Sequence, residues 1–246
     1  MLTRLLFVLL ATIAAVMAGG ASCRPAHAQG LTAVDLELLL AVDTSASVDR
    51  REYDLQVEGL VRAFQDPGVV AAIKSTGSNG IAVALLHWSS ANQQHLVVPW
   101  TRLRSGIDAF KFSASIAKAS ARQFVGSTGI GGAVLAGERS IRRNRFEGRR
   151  KSIDVSGDGP NNSGVLPSFV RDQVVAAGVT INGLTILNES PFLDRYYRRE
   201  VIGGPNSFVM TVKDYEDVVE GMRRKLIREI STAIADAGPP LPIRLE

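Results

Sequence analysis

Cysteine is nearly absent: the 246 residues contain one, Cys23, inside an N-terminal segment that reads as a removable signal. A chain processed after Ala28 has no thiol, which excludes disulfides and thiolate zinc sites alike. Histidine is scarce too. His87 ends one apolar run and His95 starts another, with no His-Glu-x-x-His spacing, so both read as core-edge or surface residues rather than zinc ligands. Several catalytic signatures are incomplete. Val155-Ser156-Gly157 lacks the first glycine of a nucleophile elbow. Gly129-Ile130-Gly131-Gly132 is followed by no Gly-Lys-Ser/Thr and completes no dinucleotide fingerprint. Asp43-Thr44-Ser45 lacks the second aspartate of an aspartyl-phosphate hydrolase. Charge of either sign is also modest. Against 24 acidic residues stand 28 Lys and Arg, a surplus of +4 that falls to +2 once Arg4 and Arg24 are removed. So small an excess points to no nucleic acid or anionic membrane as partner.

What is present begins with a secretory pattern: Arg4, an apolar core from Leu5 to Ala18, and Ala26-His27-Ala28 as an A-x-A cleavage site. The apolar core falls short of the roughly 20 residues a spanning helix needs, so cleavage leaves no transmembrane anchor. The expected location is exported, periplasmic or secreted. Lipidation at Cys23 is disfavoured because Gly20 stands where a lipoprotein signal wants a Leu-like residue. This divides the chain into a signal peptide at 1–28, one domain at 29–237 and a Pro-rich tail at 238–246, beginning Gly238-Pro239-Pro240.

Within the domain, apolar runs alternate with helical periodicity. Leu38–Val42, Ile81–Leu86, His95–Trp100, Ile153–Ser156, Val179–Leu187 and Ser207–Val212 read as strands. Pro99 suits an edge, and the second and third strands are close enough to form a hairpin. Asp49 and Glu52 have capping-box spacing, ahead of an apolar helical face of Tyr53, Val57, Leu60, Val61 and Phe64. Helices are also expected over 105–118, from Ile130, on the face Leu166, Phe169, Val170 and Val174, and on the stripe Tyr215, Val218, Val219, Met222, Leu226 and Ile230. The alternation predicts an α/β domain, a doubly wound, mostly parallel sheet with one antiparallel edge strand and helices on both faces.

The first strand ends abruptly in Asp43-Thr44-Ser45-Ala46-Ser47. It delivers one carboxylate and two hydroxyls to the sheet edge where open parallel sheets bind ligands. Hard oxygens without His or Cys suit Mg2+ or a similar cation. Thr128, before a helix, and Asp158, after a strand, emerge at the same edge. The pattern Asp-x-Ser-x-Ser, then Thr, then Asp resembles the metal-ion-dependent adhesion site (MIDAS) of the von Willebrand factor type A (vWA) family, and the likeness covers essentially the whole mature domain.

That resemblance implies direct coordination by Ser45 and Ser47, charge from Asp43 and Asp158, and Thr128 moving in and out of contact with a divalent cation, Mg2+ before Mn2+ or Ca2+. It also implies a protein or peptide partner whose Asp or Glu completes the coordination, as for stand-alone bacterial vWA-like proteins of uncharacterised role. The alternatives are a metal-assisted hydrolase using the same residues and a structural envelope protein with a vestigial site. The long segment 188–205, with Glu189, Asp194, Tyr196 and Tyr197, is expected to form a rim over the site, joined by Thr44. The densest basic run, Arg142, Arg143, Arg145, Arg149, Arg150 and Lys151, is read as a helix-to-strand connection on the opposite edge.

Overall fold

A computed structural model describes residues 30–119 and 126–235. The signal segment, Cys23, the domain boundary at 237 and the Pro-rich tail lie outside the described residues. Six strands run in the order β3-β2-β1-β4-β5-β6, where β1 is Thr32–Asp43, β2 Ile81–Trp88, β3 Gln94–Leu103, β4 Phe146–Gly157, β5 Val179–Ile186 and β6 Val209–Val212. All neighbours are parallel except β2 and β3, so the hairpin with β3 at the edge is as expected.

Residue alternation along β1 explains the two layers. Leu36, Leu38, Leu40 and Val42 face one core, together with α1 (Arg50–Gln65), α2 (Pro67–Ser75), α3 (Gly106–Lys118) and α7 (Val218–Ala235). Leu39 and Ala41 face the other, with α4 (Ile130–Arg143), α5 (Pro167–Ala176) and the short α6 (Leu193–Tyr196). With both faces covered, every residue from Leu38 to Val42 is buried, which is why this part of the strand reads as a continuous apolar run, while β1 itself starts earlier, at Thr32. α1 starts at the expected box: the Asp49 carboxylate accepts from the Glu52 N–H at 2.8 Å and the Glu52 carboxylate from the Asp49 N–H at 2.8 Å. Among the described residues no helix is long and apolar enough to cross a membrane.

Three expectations are corrected. β4 starts at Phe146, not Ile153, so Arg149, Arg150 and Lys151 are strand residues. β5 joins only from Lys151, leaving the first half of β4 paired on one side, where charged side chains reach water. Arg149 there meets Asp35 at 3.7 Å and Lys151 meets Glu147 at 2.8 Å. Second, α5 buries only part of its expected face: Val170 and Val174 enter the core, whereas Leu166 and Phe169 are 67% and 63% exposed. Third, Tyr215 precedes α7 in a 3-10 turn (Tyr215–Asp217) rather than lying on its stripe.

Candidate functional site

The parallel strands β1, β4 and β5 end on one edge, and the backbone there places the five predicted donors together. Asp43 is the last residue of β1 and is fully buried. Its Oδ1 accepts the Ser45 N–H at 2.7 Å, folding the next residues back over the strand end in an Asx turn. This aims Ser45 and Ser47 the same way, with their hydroxyl oxygens 3.2 Å apart. The Ser47 hydroxyl donates to Asp158 Oδ1 at 2.7 Å, and the Thr128 hydroxyl reaches the Ser45 Oγ at 3.5 Å. Two carboxylates and three hydroxyls thus form one oxygen cluster. Ser47 is partly exposed and the other four are buried, so the cluster opens to solvent beside Ser47.

Supporting residues fix each donor. Gln56 on α1 donates from Nε2 to the Asp43 carbonyl at 3.2 Å. Asn162 holds Thr128 from both sides: its Oδ1 accepts the Thr128 N–H at 2.8 Å, and its own N–H donates to the Thr128 carbonyl at 2.9 Å. The glycines preceding and opening α4 have a steric purpose. A Cβ on Gly129 would sit 2.6 Å from the Ala91 nitrogen, and one on Gly132 would run into the Ala91 carbonyl oxygen. Loop 89–93 therefore nests against the helix start, and the glycines allow backbone contact rather than cradling a phosphate.

Two phenols lie against the carboxylates. Tyr215 donates its hydroxyl to Asp158 Oδ2 at 3.0 Å. Tyr197 is completely buried, and Gly157 leaves room for it: a Cβ there would lie 2.8 Å from the Tyr197 hydroxyl and 3.0 Å from Asp43 Oδ2. Burial, with the charges of Asp43 and Asp158, pushes the Tyr197 phenol well above its ordinary value, and burial beside Asp158 does the same to Tyr215. Both therefore stay protonated at neutral pH and neither acts as a base; Tyr215 donates to Asp158, whereas the Tyr197 hydroxyl is buried without a hydrogen-bond partner among the described residues.

The rim is smaller than the sequence implies. Thr44 is buried and donates its hydroxyl to the Trp88 carbonyl at 3.0 Å, joining β1 to β2, so it presents nothing to a partner. Tyr197 faces the core beneath the site for the reason given above. Glu189 is exposed, and Tyr196 is half-buried, with its phenol oxygen accepting the Asn161 N–H at 3.2 Å. His87 is buried edge-on to Tyr53, with ring centroids 5.6 Å apart, and burial lowers its pKa to about 4; His95 is exposed.

Tyr215, Asn162 and Gln56 escaped the sequence reading. Tyr215 carried the one usable signal, a polar-tipped aromatic in a strand-to-helix connection at the binding edge.

The donor set fits a hard divalent cation on chemistry alone: every donor is oxygen, and only two are charged. No cluster of three or more His, Cys, Asp or Glu suited to a metal occurs among the described residues, as expected when hydroxyls supply most donors.

Solved structures share this fold. Proximal thread matrix protein 1 from the mussel byssus, with a zinc-occupied MIDAS motif, is 16% identical at a TM-score of 0.55, covering 82% of this chain and 49% of that one. The pilus adhesin SpaC from Lactobacillus rhamnosus GG is 12% identical at 0.61, covering 83% and 32%. A von Willebrand factor type A protein from Catenulispora acidiphila is 13% identical at 0.53, covering 80% and 43%. The chain thus spans half or less of each of these proteins, and at such identities the likeness establishes the fold alone. No curated protein sequence matches. A family model described as "Protein of unknown function (DUF1194)" matches residues 33–234. The chain belongs to the DUF1194 family, on a von Willebrand factor type A fold.

Proposed function

We propose that the protein is an exported, cation-dependent binding module that captures a protein or peptide partner through an acidic side chain. Asp43, Ser45, Ser47, Thr128 and Asp158 hold the cation. When bound, the cation supplies an electrophilic position for the partner's carboxylate. The observation that carries this reading is the convergence of Ser47 on Asp158 at 2.7 Å and on Ser45 at 3.2 Å, from segments 111 residues apart in the chain. Five donors leave one position of a six-coordinate cation open, and three of the five are neutral hydroxyls, which keeps that position electrophilic toward a partner's carboxylate. The mussel protein's zinc-occupied motif supports occupancy by a divalent ion, and the pilus adhesin supports an extracellular binding role.

Thermal unfolding tests the reading, in EDTA and in millimolar Mg2+, Mn2+, Ca2+ or Zn2+, with Asp43→Ala alongside. At a hundredfold excess over Kd a native-state ligand adds about 2.7 kcal/mol. For a domain of this size that is roughly 5–10 °C in Tm. A rise confined to the wild type supports the site; equal midpoints with and without cation sink it.

A further inference from the structure

Seven large hydrophobic side chains are exposed among the described residues, and four of them, Val165, Leu166, Phe169 and Phe192, follow β4 and β5 at the binding edge. Such clustering at one edge marks an interaction surface rather than the scattered exposure normal for a soluble protein. A cavity of about 360 Å3 opens at Phe192, lined also by Pro160, Ser190, Pro191, Leu193 and Tyr196. Glu189 is the one acidic residue lining it.

The cavity shares its Pro160 wall with the loop that carries Asp158. Pro160 is the second residue after Asp158. Tyr196 holds the Asn161 N–H at 3.2 Å, and the Asn161 Oδ1 accepts the Gly131 N–H at 3.3 Å, in the helix start that follows Thr128. The order β1-β4-β5 sets the cavity outward from Asp43, on the β5 side.

We infer that this cavity receives an apolar side chain, aromatic or branched aliphatic, adjoining the acidic residue of the partner; the inference rests on the cation-dependent reading above. Charge sorts the two groups. Glu189 forms no ion pair among the described residues and repels a carboxylate from the cavity, whereas the cation attracts one to the oxygen cluster. The apolar walls accept what the cluster cannot, and a volume near 360 Å3 suits a single side chain with its flanking backbone. The partner is thus recognised by an acidic–apolar pair.

Capped dipeptides test this with the purified protein in 10 mM Mg2+, read by NMR shift titration. The probes are N-acetyl-Asp-Phe-amide, N-acetyl-Phe-Asp-amide and N-acetyl-Asp-Gly-amide, with N-acetyl-Asn-Phe-amide as control. One of the two phenylalanine peptides is expected to bind about tenfold more tightly than the glycine peptide. Phe192→Ala should bring that affinity toward the glycine level; Phe192 is 66% exposed, so its removal leaves the core intact. Equal affinity for phenylalanine and glycine peptides overturns the cavity's role while leaving cation-dependent capture standing. Binding unchanged by EDTA or by Asn in place of Asp overturns the cation-dependent reading and the inference with it. No shift for any peptide up to 10 mM also overturns the inference.

Discussion

Replacing Asp158 by Asn should change stability in opposite directions with and without cation. Asp43 and Asp158 are 0% and 1% exposed, and Asp158 joins no ion pair among the described residues. Two unit charges about 6 Å apart at an effective dielectric near 20 repel by roughly 3 kcal/mol. Asp158→Asn removes that repulsion. It also replaces one of the two acceptors now serving Ser47 (2.7 Å) and Tyr215 (3.0 Å) by a donor, a loss of about 1–2 kcal/mol. The net effect in EDTA is a gain of about 1–2 kcal/mol, or roughly 2–8 °C in Tm. In 10 mM Mg2+ the sign reverses, because the variant loses a charged ligand and most of the cation's stabilisation. Circular dichroism melts of both proteins in both buffers give the four midpoints. A variant less stable than wild type by the same amount in EDTA and in Mg2+ would refute the electrostatic reasoning and leave Asp158 as an ordinary structural acceptor.

Tyr215→Phe should cost about 0.5–1.5 kcal/mol in urea unfolding, through the lost hydrogen bond to Asp158, and raise the Kd for Mg2+; an unchanged Kd would separate Tyr215 from the site. Gly132→Ala should destabilise by about 1–3 kcal/mol despite better helix propensity, because the added methyl meets the rigid Ala91 carbonyl; a more stable variant would contradict the close approach. Under α7, Lys225 lies 2.7 Å from Asp154 and 3.1 Å from Glu229 with all three buried, and burial lifts the Asp154 carboxyl from 3.8 to about 6. The folded state then binds this proton more tightly than the unfolded one. Its contribution is complete below pH 4 and is lost as pH rises through about 6. Urea midpoints from pH 4 to 7 should fall more steeply for wild type than for Asp154→Asn, and parallel curves would remove Asp154 as the cause.

Much of the fold was legible because buried parallel strands leave long apolar runs. Leu38–Val42, Ile81–Leu86 and Val179–Ile186 are buried on both faces and needed no tertiary information, whereas Asp35 and Glu37 hid the first half of β1. Arg149–Lys151 disguised the first half of β4, since whether a strand can carry charges depends on whether its neighbour reaches that far. Phe169 and Leu166 misled in the opposite direction: apolar spacing cannot tell a core face from an exposed one. The five oxygen donors were found from their chain order. What holds them was not, because Tyr215, Asn162 and Gln56 act through contacts 57, 34 and 13 residues apart that no local pattern encodes. The placing of Thr44 and Tyr197 on the rim failed for a related reason. A loop residue's neighbours in sequence do not reveal which way its side chain turns, and Trp88 and Gly157 decide that here.

Cation binding itself gives the most direct test. Mn2+ titrated into the purified protein and followed by the electron paramagnetic resonance of free Mn2+ should show one site per chain, displaced by excess Mg2+. The same titration of Asp43→Ala, confirmed folded by circular dichroism, should show no binding. Free Mn2+ rising from the first addition with wild type, or an equal site in the variant, would contradict the assignment of Asp43, Ser45, Ser47, Thr128 and Asp158 as a cation site.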